Sequence, residues 1–268
     1  MNNIYDFKCS LLQNNTFSRL SLRQNLIVLD EVSSTNDYLK ELLSNIKPLP
    51  EATAIMAKHQ TKGKGQRGGT WHANKGENLT FSFHVNPAAL HVSHSFRLNM
   101  LICLGIQYAL RQYGLQTLIK WPNDIYAGDR KIGGILIENR LVGEYIQASI
   151  IGIGINVNQL HFPPQLVKNA TSIRLENGRT DTIVIEECCI DLLYELLRYY
   201  QLHDIQDTEA LRTSYNANLY RRGIPSKFAV QDQEVIGTIQ GVDLEGKLAV
   251  LLQQGLQRFD LKEISFLI

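Results

Sequence analysis

The stretch KHQTKGKGQRGGTW, residues 58–71, constrains the fold more than any other part of the chain. Its glycines, Gly63, Gly65, Gly68 and Gly69, allow positive φ and a close approach of backbone to a ligand. Lys58, Lys62, Lys64 and Arg67 bring four positive charges into ten residues. The apolar run TAIMA before it and the segment NLTFSFHV after it both read as strands. A P-loop or a dinucleotide-binding fingerprint would open a helix after its glycines. Here Trp71 and a β-rich segment follow, which excludes both. Such a loop suits phosphate or carboxylate oxygens; a solvated surface turn would carry the same residues.

The rest of the chain divides into periodic segments. NLIVLDEV (25–32) reads as a strand, and SSTNDYLKELLS (33–44) as a helix with Ser33 or Ser34 as its cap and Leu39, Leu42 and Leu43 on its apolar face. A long buried helix is expected over 93–113, closed by Gly114. TLIKWPNDIY (117–126) is a strand running into a Trp-Pro-Asn-Asp turn, which places Lys120, Asn123 and Asp124 near one strand end. RKIGGILIE (130–138) and SIIGIGINVN (149–158) are strands interrupted by paired glycines, a pattern of close strand-to-helix packing or of a shared ligand surface. Helices follow over 183–203 and 209–215. From about Arg222, short alternating runs separated by turns at Gly241, Gly246 and Gly255 read as a small all-β barrel. The boundary falls at 218–223, giving modules 1–219 and 220–268.

Composition narrows the function. With 268 residues, 44% of them hydrophobic, the chain can build a substantial core. A net charge of +1 argues against binding nucleic acid through a general surplus of Lys and Arg. Cys9, Cys103, Cys188 and Cys189 lack C-x-x-C or zinc-ligand spacing, and His91 and His94 lack a third ligand. No signal peptide or membrane-spanning run is visible, so the expectation is a cytoplasmic protein with no membrane partner.

The motifs together resemble one family. SSTN at 33–36, Q-x-x-G-K-G-x-R-G at 60–68 followed by Trp71, KWPND at 120–124, RKIGGILIE at 130–138 and GIGINVN at 152–158 stand in the order and spacing of biotin protein ligases. The resemblance covers residues 25–268. It implies an α+β fold, with a mixed β-sheet carrying helices on one side, as in class II synthetase-like catalytic domains, and a small C-terminal SH3-like β-barrel. It implies a ligase that uses ATP and biotin as substrates, with Mg²⁺, to form biotinyl-5'-AMP. Biotin then passes to a lysine of a biotin carboxyl carrier domain of acetyl-CoA carboxylase or a related carboxylase. By the same resemblance Lys131, Asp124 and Arg67 are catalytic. The biotin site comprises Ser34, Thr35, Asn36, Gln60, Gly63, Lys64, Gly65, Lys131 and Gly134. The adenylate site takes in Lys64, Gln66, Arg67, Gly68, Trp71, Asn123, Asp124, Lys131 and Asn156, with Trp71 against the adenine. Asp124 is the candidate protein ligand to Mg²⁺ and the candidate base for the acceptor lysine. Sheet-edge homodimers occur in the family.

Departures matter too. The family loop usually reads G-R-G-R-x-G, whereas Lys64 and Gln66 stand here at the arginine positions, and Lys offers a point charge in place of a bidentate fork. Lys262-Glu263 replaces the more usual Gly-Glu. Repressor members carry a helix-turn-helix domain of about sixty residues ahead of the catalytic part; the short stretch before the first strand predicts no operator binding. Two other readings compete. A lipoate or octanoate ligase would show an R-R-x-x-G-G-G-type stretch, and a module binding RNA or an acidic partner would show a wider basic face with exposed aromatics. Neither pattern is present.

Overall fold

The computed structural model describes residues 17–45, 49–50, 52–87 and 89–267; Cys9 and the side chain of Arg67 lie outside the described residues. Helix α1 (Arg19–Gln24) leads into β1 (Leu26–Leu29), α2 (Thr35–Asn45), β2 (Ala54–Ala57) and β3 (Asn78–Val85). Helix α3 (Ser95–Leu110), β4 (Thr117–Lys120), β5 (Asp124–Ala127), β6 (Arg130–Val142) and β7 (Tyr145–Asn156) follow. These strands form a mixed sheet in the order β1-β2-β3-β7-β6-β5-β4; β1 and β2 run parallel, and the other neighbours antiparallel. Helices α4 (Ile173–Glu176), α5 (Ile185–Leu202) and α6 (Thr208–Ala217) complete the larger part.

Strand β3 shows why the sheet has two working faces. Its side chains alternate, and all eight residues are buried. Leu79, Phe81 and Phe83 enter the main core with residues of α3 and α5 such as Leu98, Ile102, Leu193 and Leu196. Each such side chain contributes about 1.5–3 kcal/mol by leaving water. Thr80, Ser82 and His84 point to the opposite face. That face is partly covered by α2, whose Leu39 packs on Ile55 and Ile150. The two long helices thus share one side, and the short α2 sits on the other, next to the polar side chains of β3.

The β6–β7 hairpin is longer than its apolar pattern suggests. The strand expected over 130–138 runs to Val142, turns at Gly143 (φ +59°) and returns from Tyr145. Its outer half, NRLVGEY, is solvent-exposed, so the backbone ladder continues there without any hydrophobic periodicity. Pairing with β5 stops at Gly134, which leaves 136–142 with an open edge. The long helix ends as α-helix at Leu110, and a 3₁₀ turn continues it to Gly114 at φ +70°.

The C-terminal strands β8 (Pro225–Val230), β9 (Gln233–Val242), β10 (Leu248–Leu252), β11 (Gly255–Phe259) and β12 (Ile264–Phe266) form an antiparallel sheet in the order β11-β10-β9-β8-β12. Phe228, Ile239, Leu248 and Val250 are buried within it. Lys262, at the position where glycine is usual, adopts φ +90°, the backbone region that glycine enters without steric cost. Polar contacts from Trp121 and Asn216 tie this sheet to the rest: Trp121 Nε1 donates to the Gly246 carbonyl at 2.9 Å, and buried Asn216 brackets Val242, accepting from its N–H at 2.7 Å and donating to its carbonyl at 3.2 Å. Among the described residues no helix is long and apolar enough to cross a membrane.

Asn216→Ala removes both bonds to Val242, and the expected loss of stability is about 2–6 kcal/mol, given about 1–3 kcal/mol for each of the two buried polar groups left unpaired. Urea unfolding of the variant against the parent measures it.

Candidate active site

Strand β7 positions the site. Ile151, Ile153 and Ile155 fill the helix-side core, while Gly152, Gly154 and Asn156 lie on the other face. The basic glycine stretch runs beside the segment between β1 and α2. Val32 N donates to His59 O at 3.1 Å, Thr61 N to Val32 O at 2.9 Å and Lys62 N to Ser33 O at 2.9 Å. Side chains match across the same seam: Lys58–Asp30 at 2.9 Å, His59–Glu31 at 3.0 Å and Lys64–Asp37 at 2.7 Å. Much of the basic charge legible in the sequence is therefore answered by neighbouring carboxylates. The hydrogen bond to Asp37 raises the pKa of Lys64. These pairs are exposed, so each stabilises little and exchanges readily for a ligand oxygen.

The tip of the loop is a 3₁₀ turn over Gln66–Gly68, with Gly68 at φ +82° and Gly65 N donating to Gly69 O at 2.7 Å. Trp71 N then returns to Gly63 O at 3.0 Å. The indole of Trp71 lies flat against the backbone of Gly154, where a Cβ would come 2.4 Å from the ring. Its Nε1 is buried without a hydrogen-bond partner.

Two cavities meet at this indole. The first, about 320 Å³, has a polar end formed by Ser34, Thr35, Asn36 and Gln60. Gln60 Oε1 accepts from Thr35 N at 2.8 Å and lies 3.1 Å from Thr35 Oγ1; Ser34 Oγ lies 3.5 Å from Asp37 N at the start of α2. The opposite end holds an ion pair, Lys131 Nζ–Asp124 Oδ1 at 2.6 Å, beside Gly134. Lys64, Gly65 and Gln66 line the wall between these ends. The second cavity, about 950 Å³, takes in Gly63, Asn156, Phe162 and Leu166. Trp71 and Lys131 line both, and Lys131 Nζ lies 6.0 Å from the centre of the indole.

The turn carrying Asp124 is held from behind. The Pro122 carbonyl accepts from Asn99 Nδ2 at 2.8 Å and from the Tyr215 hydroxyl at 2.6 Å, donors on α3 and α6. Asn123 Nδ2 donates to Ile135 O on β6 and Asn156 Nδ2 to Thr171 O, so both amides also brace the walls they line. Nearby, Lys120 Nζ donates to the Tyr126 hydroxyl at 3.1 Å and sits 5.0 Å from the ring centres of both Tyr126 and Phe266. Burial pushes the Lys120 ammonium pKa down, although Asp124 opposes this.

Most residues expected at the site meet around the first cavity: Ser34, Thr35, Asn36, Gln60, Lys64, Gly65, Gln66, Trp71, Asn123, Asp124, Lys131 and Gly134. Gly63 and Asn156 line the second cavity alone, and Gly68 lines neither. Arg67 contributes its backbone to the 3₁₀ turn, and its side chain lies outside the described residues. Thr80, Ser82 and Glu138 were missed. Ser82 Oγ lies 2.7 Å from Thr35 Oγ1 and 2.6 Å from Asn36 Oδ1, and Asn36 Nδ2 donates to Glu138 Oε2 at 2.7 Å. Alternation marked Thr80 and Ser82 as sharing a face of β3, but not which face would meet a ligand.

Chemically, the arrangement offers hydrogen-bonding groups at one end of a small cavity, a cation beside a carboxylate at the other, and a larger compartment beyond the indole. It suits a small polar-headed acid presented to a larger anionic substrate. The biotin/lipoate A/B protein ligase family model matches residues 28–156. The chain is 31% identical over 242 residues to the bifunctional ligase/repressor BirA of Bacillus spizizenii, covering 88% of this chain and 72% of that protein. It is 27% identical to the biotin--[acetyl-CoA-carboxylase] ligase of Paracoccus denitrificans, covering 89% of this chain and 99% of the relative. Among solved structures, the biotin protein ligase from Aquifex aeolicus in complex with biotin and ATP superposes with a TM-score of 0.72 at 27% identity, over 90% of this chain and 97% of that one.

Gly154→Ala places a methyl group where the indole lies, so the Trp71 ring must leave the strand. The expected result is a red-shifted tryptophan emission, which disappears in the Gly154→Ala/Trp71→Phe double variant, where Trp121 is the remaining tryptophan.

Proposed function

This chain belongs to the biotin protein ligases of the biotin/lipoate A/B protein ligase family, and we propose that its two adjoining cavities carry that family's two successive reactions. The protein is an ATP-dependent ligase that forms a C–N bond. It activates biotin to biotinyl-5'-AMP with release of pyrophosphate, then transfers biotin to a lysine of a biotin carboxyl carrier domain. The observation that carries this reading is Lys131, which lines both cavities and holds Asp124 at 2.6 Å.

Biotin fits the first cavity with its ureido ring among Ser34, Thr35, Asn36 and Gln60 and its carboxylate towards Lys131. ATP fits the second, with the adenine near Trp71 and Asn156 and the α-phosphate at the shared boundary. A carboxylate and a triphosphate repel each other, and an ammonium between them offsets that repulsion where charge builds up. A biotin carboxylate oxygen attacks the α-phosphorus as the bond to the bridging oxygen breaks, and pyrophosphate leaves with that electron pair. The glycine turn bearing Lys64, Gln66, Arg67 and Gly68 lies over the adenylate, with Gly63 and Gly65 as its pivots and Gly134 leaving room beside Lys131. Asn123 braces the phosphate side.

A Mg²⁺ ion bound with ATP would neutralise phosphate charge. Asp124, already facing a cation, is the carboxylate that would hold it. In the second reaction the acceptor lysine must lose a proton, since its free pKa is about 10.4. Once Lys131 has turned to the adenylate, Asp124 is free to take that proton. The lysine nitrogen then attacks the acyl carbon, and AMP leaves with the electron pair of the anhydride bond.

The acceptor is the carrier domain of acetyl-CoA carboxylase or a related carboxylase, and the reaction takes place in the cytoplasm. The open edge of β6, with Leu141 and Val142 45% and 60% exposed, supports a homodimer formed by edge pairing. The catalytic module spans 1–219 and the C-terminal module 220–268.

Pyrophosphate release from Mg-ATP without an acceptor tests the activity: about one equivalent per protein with biotin and none with lipoate is expected, and release with lipoate instead would move the chain to the sister activity. Lys131→Ala and Asp124→Ala should each lower kcat about 100-fold or more, equivalent to about 2.7 kcal/mol of transition-state stabilisation. Thermal unfolding should barely change, because both side chains are partly exposed in the cavity wall.

A further inference from the structure

Glu138 lines neither of the two cavities, yet it is bonded to a residue at the polar end of the first. Asn36 is buried, and its amide lies flat over Gly152, where a Cβ would meet Oδ1 at 2.3 Å. Glu138, on β6, accepts from Asn36 Nδ2 at 2.7 Å. An ionised carboxylate can only accept, so this contact decides which way round the Asn36 amide stands. Oδ1 is thereby turned to Ser82, which is fully buried and 2.6 Å away. A carboxamide oxygen also only accepts, so the one proton of the Ser82 hydroxyl goes to Asn36.

The consequence reaches the substrate. Thr35 Oγ1 lies 2.7 Å from Ser82 Oγ and 3.1 Å from Gln60 Oε1. With the Ser82 proton committed to Asn36, the Thr35 proton goes to one of these two oxygens, and its lone pairs remain for the cavity. Gln60 has a fixed orientation as well, because the Thr35 backbone N–H, which can only donate, binds its Oε1 at 2.8 Å. Gln60 Nε2 is left as a donor. A cyclic urea presents N–H donors and a carbonyl acceptor, the complement of a wall with hydroxyl lone pairs and an amide N–H.

We propose that Glu138 is a positioning residue that sets the hydrogen-bond polarity of the biotin cavity through Asn36 and Ser82. Glu138 also lines a separate groove on the far side of Asn36, with Lys40 and Arg140, and so acts from behind the cavity wall. Without its carboxylate the Asn36 amide has two orientations and the Ser82 proton two destinations. Only part of that ensemble matches the ureido ring. The inference rests on the assignment of this cavity to biotin.

Biotin-dependent exchange of pyrophosphate into ATP by the full chain tests it, with biotin and ATP varied separately. Glu138→Ala should raise the KM for biotin about ten-fold, the size of one good hydrogen bond at about 1.4 kcal/mol. The KM for ATP and kcat at saturating biotin should stay within about two-fold. Glu138→Gln keeps an acceptor for Asn36 but adds an amide donor that can bind Oδ1 in the flipped orientation, so it should leave the biotin KM raised, between the parent and Glu138→Ala. Ser82→Ala, which breaks the relay at its middle, should reproduce the biotin-specific rise even if Glu138→Ala proves unfolded. A parent-like biotin KM in folded Glu138→Ala overturns the proposal. So does an equal loss for biotin and ATP in Glu138→Ala, since that marks a merely structural role. If the parent itself shows no biotin-dependent exchange, the functional reading falls first, and the proposal with it.

Discussion

The structure depends on one strand having opposite duties on its two faces. On the helix side of β7, Ile151, Ile153 and Ile155 are buried in the core that α3 and α5 complete. On the other side, Gly152 and Gly154 expose bare backbone to the amide of Asn36 and the indole of Trp71. Glycine weakens an isolated strand, but here β3 and β6 pair with it on both edges, and the isoleucines supply the burial that holds it. The missing side chains are what bring the α2 start, the glycine loop and the sheet into one site.

Electrostatics are arranged around the same surface. Lys131 and Asp124 satisfy each other, and Lys58, His59 and Lys64 are matched by Asp30, Glu31 and Asp37. None of these pairs is deeply buried, so none locks the site. An arriving anion can take over an ammonium without leaving a carboxylate stranded in a dry interior. The exchange of arginine for Lys64 fits this picture, because a flexible point charge leaves Asp37 more easily than a bidentate fork would. Rigidity comes from elsewhere: the Pro122 carbonyl, held from α3 and α6, and the Asn123 amide, spent on β6, keep the Asp124 turn in place.

Much of the organisation was legible in the chain. The strand at 78–85 matches its apolar alternation residue for residue, Gly114 ends the long helix, and the change of texture near residue 222 marks the C-terminal sheet. Local pattern decides such features because period and turn chemistry act within a few residues. The outer half of the β6–β7 hairpin was not legible, since water covers it and backbone bonds alone maintain it. The motifs SSTN, KWPND and GIGIN likewise named the residues that gather at the cavities, yet not what each side chain does there. Asn123 and Asn156 turn out to brace backbone carbonyls, and the carboxylates opposite the basic loop could not be paired with it from spacing.

The sequence by itself determined the elements, their order, the family and the kinds of groups available for binding. Tertiary structure decided which face of β3 and β7 lines the cavity, which charges are already paired, and in which direction the hydrogen bonds around Asn36 run. Those are properties of atoms far apart in the chain: Glu138 is about a hundred positions from Asn36, and Ser82 almost fifty. A donor or acceptor acquires its direction only from the partner that folding places beside it.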